Sequence, residues 1–292
     1  MSGFQVSTGG TSTYDKIDDA LEAVRELPYN WVIYTVADSS TVHSDTTVLK
    51  IKTHILTAAK YDKFLMLGGA ESSLSTALTS SASLNSDRIC LVPGGVYKVS
   101  QSTASGFRLW KSFFHACLWL GRICGLPPQV PVTNKAIDVD KLQLNLTVTD
   151  QEKALLGGLL TTIYSTSRRE FICLQGVNTL QNNSYQLNPD GTTYSIQLRR
   201  IAAQLNYELI YNANTQLLND PVGTNRHTLS EKDLVEWVKS YLGRKLATDT
   251  QDNLIVSFQN VTVIRDQDAY FVTYQFEANS EINKLFLTGF ML

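Results

Sequence analysis

Three short runs in the first hundred residues, 31–36 (WVIYTV), 64–67 (FLML) and 88–92 (RICLV), are almost wholly apolar. A strand without polar alternation is one covered on both faces, as in a parallel sheet lying between layers of helix. Helical patterns separate the runs. Ile17, Ala20, Leu21, Val24 and Leu27 share one face, after Thr13 as cap and acidic Asp15, Asp18 and Asp19, and Pro28 stops that helix. Val48, Ile51, Ile55, Leu56 and Ala59 mark a second helix. A third, more polar one covers 71–83, with Leu74, Ala77 and Leu78 inward. Strands alternating with helices at this spacing predict a small parallel sheet joined by right-handed crossovers.

The character changes across 114–138. Residues 107–125 read as one long helix with Leu109, Phe113, Ala116, Leu120 and Cys124 along one side, apolar around most of its girth and so packed between layers. Gly125 and Pro127-Pro128 end it, and 129–138 reads as a polar, extended connector. The expected organisation is therefore an α/β domain, 1–126, followed by an α+β domain, 127–292. The fold class is α/β, α+β overall: a small parallel sheet with flanking helices, then a domain ending in antiparallel strands.

In the second part, Thr149 and Glu152 form a capping box for a helix through Ala154, Leu155 and Leu159. Residues 170–174 (EFICL) are a strand, and Asn188-Pro189-Asp190-Gly191 is a turn before a helix through Ile196, Ile201, Leu205 and Leu209. Ser230 opens a helix with Glu231, Asp233 and Glu236 at its start and Lys239, Arg244 and Lys245 at its end, complementing both dipole ends. Trp237 lies at the rim or flank of its inward stripe. From 253 the period drops to two, giving a meander of 254–264, 269–278 and 282–290. The last run, with Ile282, Lys284, Leu285, Phe286, Leu287 and Phe290, has the profile of an edge strand that needs a partner.

Chemistry is hard to find. The 25 Lys and Arg balance the 27 Asp and Glu, and a split at Leu126 leaves both parts balanced, so nucleic acid is disfavoured as a direct partner. Four glycine pairs include no GxGxxG and no GxxxxGK[ST], so no nucleotide or other cofactor is signalled. His43, His54, His115 and His227 stand in separate elements without metal-site spacing, and no GxSxG elbow exists. Asp18-Asp19, Asp138/Asp140 and Asp266/Asp268 are explained as a first turn, a loop and a hairpin. Cys90, Cys117, Cys124 and Cys173 lie in apolar runs and read as buried thiols of a reducing compartment, and Cys117, Cys124 and His115 as core. Neither a secretory signal nor a run of ~18–20 apolar residues is present, so a soluble, cytoplasm-made chain without a membrane anchor is expected.

Several motifs, in order, resemble the contractile tail sheath family of bacteriophages and contractile injection systems. They are Thr8-Gly9-Gly10 before the acidic helix, and Ser86-Asp87-Arg88 with Pro93-Gly94. Then come the helix end from Gly121 to Pro128, the connector Asn134-Lys135-Ala136-Ile137, Thr192-Thr193, and Arg199-Arg200-Ile201. The resemblance implies a non-enzymatic structural subunit that polymerises around a tail tube and contracts to drive it through the host envelope. Its partners would be copies of itself, the tube protein, and baseplate and terminator proteins. Its location would be the virion, after assembly in the host cytoplasm. The terminal strand would then add to a neighbouring subunit, and the helix with Lys239, Arg244 and Lys245 is the candidate tube-facing surface. Family members usually carry an N-terminal arm, whereas only 1–7 precede the Gly-Gly stretch here. This leaves open a minimal sheath, a piece of a larger subunit, or a non-contractile relative. The alternatives are a tail terminator or cap, and an enzyme on the parallel scaffold with a site at strand ends near 37–40, 68–71 or 93–97.

Overall fold

The three apolar runs form one parallel sheet in the order β1 (Trp31–Tyr34), β2 (Phe64–Gly68), β3 (Ile89–Val92). Trp31 lies opposite Phe64, and Leu65 opposite Ile89. β2 and β3 are buried along their whole length, whereas β1, at the edge, is half-buried until Tyr34. The computed structural model describes residues 17–27, 31–35, 39–58, 61–103, 106–181, 193–213, 215, 230–246, 254–266 and 269–278. They fall into two units, Met1–Arg199 and Arg200–Leu292.

Within the first unit, alternate side chains of the sheet enter different cores. Leu65, Leu67, Ile89 and Leu91 pack with α1 (Ile17–Ala23), α2 (Thr46–Thr53) and α3 (Leu74–Leu84). Met66, Cys90 and Val92 face the other way, towards Ala116, Trp119 and Ile123 of α4 (Ser112–Cys124). The third helix starts at Leu74 rather than 71 because Ser73 caps it, accepting from the Thr76 N–H at 3.3 Å. Lys63, fully buried just before β2, donates to the carbonyls of Val24 and Arg25 at 2.8 Å each and so satisfies the end of α1.

The expected helix 107–125 is two elements. Phe107–Trp110 is β5, antiparallel to β4 (Val96–Val99) with Val96 opposite Trp110, and the helix begins only at Ser112. β7 (Lys141–Leu142) pairs with the other side of β4. The sequence FRLW suits either period, and the adjacent strand 96–99 decides between them. Nor is α4 packed between layers: Ser112, His115, Ala116, Trp119 and Ile123 are buried, while Phe114, Cys117, Gly121 and Cys124 form an exposed stripe.

The expected division at 126 falls inside the first unit. β6 (Ala136–Ile137) lies in the expected connector and pairs with β9 (Glu170–Cys173), which also pairs with β8 (Thr162–Ser165). The Leu160 N–H donates to Leu91 O at 3.0 Å and the Thr179 N–H to Ile89 O at 2.8 Å, so these later segments complete the free edge of β3. α5 (Val148–Leu156) is capped by Thr147, which accepts from the Asp150 N–H at 3.2 Å, two residues before the expected cap at Thr149. The last element to begin in this unit is α6 (Ile196–Ala213).

The second unit contains α7 (Glu231–Gly243), β10 (Ile255–Asp266) and β11 (Ala269–Ala278). Ser230 and Asp233 form a reciprocal capping box. β10 and β11 are antiparallel, from Ile255 opposite Ala278 to Asp266 opposite Ala269, with an irregularity between Gln259 and Thr262. The expected third strand, 282–290, lies outside the described residues.

Candidate functional site

Two motifs far apart in sequence meet in the first unit. The Arg199 guanidinium pairs with Asp87, its Nε 2.8 Å from a carboxylate oxygen, and donates from Nη2 to Asp62 at 3.0 Å, while Arg88 holds the same Asp62 oxygen at 2.7 Å. Arg88 also donates to Ile55 O at 2.8 Å. All four side chains are largely buried. Burial pushes the Asp87 carboxyl upward, against the pull of Arg199 and Arg88. Asn178 ties the same corner together, donating to the carbonyls of Asp87 at 3.0 Å and Thr193 at 2.7 Å. The Ser86-Asp87-Arg88, Thr193 and Arg199 motifs are thus parts of one ion-pair and hydrogen-bond network fastening the start of α6 to the sheet.

His115 is the other buried polar centre. Its Nδ1 lies 2.9 Å from Gly94 O and its Nε2 2.8 Å from the Thr162 hydroxyl, to which the Trp119 indole donates at 2.8 Å. A carbonyl can only accept, so Nδ1 carries the proton and the Thr162 hydroxyl donates to Nε2. Burial pushes this imidazole down to about 4, and it is a neutral core histidine. His43 bonds the Ser80 hydroxyl at 2.9 Å. His54 is buried with no partner for Nε2 among the described residues, and His227 lies outside them. No group of three or more His, Cys, Asp or Glu among the described residues could hold a metal ion.

Of the four cysteines, only Cys90 and Cys173 are buried. Cys117 and Cys124 are exposed, because they stand on the side of α4 turned away from the sheet. Among the described residues, no helix is long and apolar enough to cross a membrane.

The basic end of α7 is divided by its partners. Lys239 is exposed and pairs with Glu236 at 3.0 Å, and exposed Arg244 lies 5.8 Å from the Tyr241 ring centroid. Lys245 turns inward to Glu208 at 2.9 Å. That carboxylate also accepts from the Tyr241 hydroxyl and from Gln204 at 2.6 Å, and these partners outweigh burial to hold it below the usual carboxylate range. Trp237 is half-buried and stacks on Tyr241 with centroids 6.2 Å apart. Ile282, Lys284, Leu285, Phe286, Leu287 and Phe290 lie outside the described residues. The preceding ribbon is described, and it exposes Val256, Ile264, Phe271 and Val272. A two-stranded ribbon with apolar residues outward is short of cover, and β11 has no strand on its second side among the described residues. Alternation along 254–278 located these strands, but not which side chains face water.

No protein-family model matches the chain. It is 22% identical over 280 residues to a tail sheath protein of Bacillus phage SP01, an alignment covering 93% of this chain and 45% of the relative. A sheath tail protein from Listeria innocua has a similar fold at 12% identity, with a TM-score of 0.60 over 91% of this chain and 60% of that one. So does the contracted-state sheath complex of an extracellular contractile injection system, at 13% identity with a TM-score of 0.53 over 82% of this chain and 67% of that one. The chain thus spans about half the length of its phage relative and three-fifths of the Listeria protein. The chain is similar in sequence to a phage tail sheath protein and similar in fold to tail sheath proteins.

Proposed function

We propose that the chain is a structural subunit of a contractile phage tail sheath, polymerising around a tail tube and contracting to drive it through the host envelope. The observation that carries this reading is the match to a phage tail sheath protein along 93% of the chain. The under-covered ribbon β10–β11 supports it, since main-chain strand addition is a direct way to link copies. Under this reading residues 282–290 extend that ribbon in a neighbouring copy. Lys239, Arg244 and Lys245 are the candidate tube-facing residues, with exposed Lys239 and Arg244 better placed than Lys245. Baseplate and terminator proteins are the partners at the two ends, and the virion is the final location, after assembly in the host cytoplasm. The work comes from the difference in contact energy between two lattices, without a catalytic step.

Negative-stain microscopy of the concentrated chain tests this and is expected to show tubes or ring stacks. Deleting 282–292 abolishes them while leaving the circular dichroism of the remainder nearly unchanged. Polymers that form equally well without 282–292 overturn strand addition, and a chain that stays monomeric at all concentrations overturns the subunit role.

A further inference from the structure

The parallel sheet of the first unit carries a basic layer on one face and the acidic helix α1 on the other. Residues 88–137 hold six of the 25 Lys and Arg and none of the Asp and Glu, leaving 19 basic and all 27 acidic residues for the rest of the chain. A comparison of the two halves hides this, because the basic stretch is only 50 residues long. Its α4 layer presents the exposed stripe Phe114, Cys117, Gly121 and Cys124, and Phe114 is 42% exposed. Arg108, Lys111 and Arg122 stand exposed around it, with no ion pair among the described residues. Arg108 shares its face of β5 with Trp110, whose ring lies 5.2 Å from that of Phe114.

In the layer on the opposite face of the sheet the acidic element is α1, while α2 carries Lys50 and Lys52. α1 carries Asp18, Asp19 and Glu22 and no basic residue. Between α1 and α2 runs a groove of about 410 Å³, lined by Asp18 and Glu22 of α1 and by Leu49, which is 43% exposed, Lys50, Thr53 and His54. Lys50 pairs with Asp18 at 2.6 Å and Arg25 with Glu22 at 3.2 Å, both at exposed positions. His54 is only 6% exposed, and its Nε2 has no partner among the described residues. A groove with one acidic wall, an apolar wall and an unsatisfied buried nitrogen suits an aromatic side chain ringed by cations, and exposed ion pairs such as Lys50–Asp18 hold weakly enough to exchange partners.

We propose that the α1–α2 groove of one copy receives the Phe114 face of α4 of the next copy, with Arg108, Lys111 and Arg122 meeting Asp19 and sharing Asp18 and Glu22 with Lys50 and Arg25. The inference rests on the sheath-subunit reading and names a contact for it. The two surfaces lie on opposite faces of one sheet, so the contact is heterologous. Repetition of a heterologous contact gives rings or helical filaments rather than a closed dimer. Opposed potentials also favour the correct pairing over like-with-like encounters.

Two readouts on the full chain test it. The double variant Arg108→Glu/Arg122→Glu, and separately Asp19→Lys/Glu22→Lys, each raises the concentration needed for assembly by about tenfold or more, whereas an equimolar mixture of the two assembles like the native chain. All these positions are exposed, and circular dichroism checks that both variants fold. In the second arm, Thr53→Cys is oxidised under assembly conditions. Positions 53 and 117 lie on opposite sides of the sheet, so a disulfide between them joins two copies, and it disappears when Cys117→Ser is added. Polymers that form without this disulfide and ignore both reversals overturn the groove contact while the subunit reading stands. No polymer and no cross-link at any concentration overturns both.

Discussion

At the scale of single residues, the buried polar groups dominate. His115 is held near 4 by burial, against about 6.5 in an unfolded chain. A depressed folded value means that the unfolded chain binds more protons between these limits. The stability His115 contributes is therefore complete above about pH 6.5 and is lost as pH falls to about 4, a cost of up to ~3 kcal/mol. Thermal melts from pH 7 to 4 should show a shallower acid loss for His115→Gln than for the native chain, although the variant is less stable at pH 7. Arg199 poses the opposite case. Arg199→Leu leaves Asp62 and Asp87 without a shared cation and should cost ~3–5 kcal/mol in denaturant unfolding of the first unit, whereas Arg199→Leu/Asp87→Leu should recover part of the loss. His115 was legible as a core residue because its helix is apolar on both sides of it. The Arg199 network was not, because its members lie up to 137 residues apart and local spacing carries no trace of long-range pairing.

At the scale of elements, periodicity succeeds where burial is one- or two-sided over a whole segment. β2 and β3 are buried at every position, β11 alternates between exposed and half-buried along 273–277, and α7 carries its capping box openly in Ser230 and Asp233. It fails at 107–125, where four strand residues precede a helix without a turn signal, and at 129–138, where β6 is two residues long. The position of α4 depends on one residue that the sequence shows only as part of a glycine pair. A Cβ on Gly68 would clash with the Phe113 backbone nitrogen and lie 2.6 Å from Ser112 C, so the end of β2 supports the first turn of α4 directly. Gly68→Ala forces helix and strand apart and should cost ~1–3 kcal/mol, with faster amide exchange concentrated in Ser112–Cys124.

At the scale of the whole molecule, two kinds of linkage between copies are expected, and salt separates them. Strand addition through 282–290 rests on main-chain hydrogen bonds and apolar cover, and is nearly indifferent to ionic strength. The groove contact rests on charges at exposed positions, and its reach shrinks with the Debye length, from about 10 Å at 0.1 M salt to about 3 Å at 1 M. Transfer of assembled polymers to 1 M sodium chloride should loosen the regular lattice in micrographs while sedimentation still detects linked chains. Dilution into 0.1 M salt should restore order without a nucleation lag, because the copies never separated. Deletion of 282–292 makes the dependence complete: the truncated chain should associate only weakly at 0.1 M and sediment as a monomer at 1 M. A lattice equally regular at both salt concentrations would leave the opposite charge of the α4 layer and α1 without a role in assembly. The apolar stripe of α4 would then have to act alone, and Phe114→Ser would become the variant that decides.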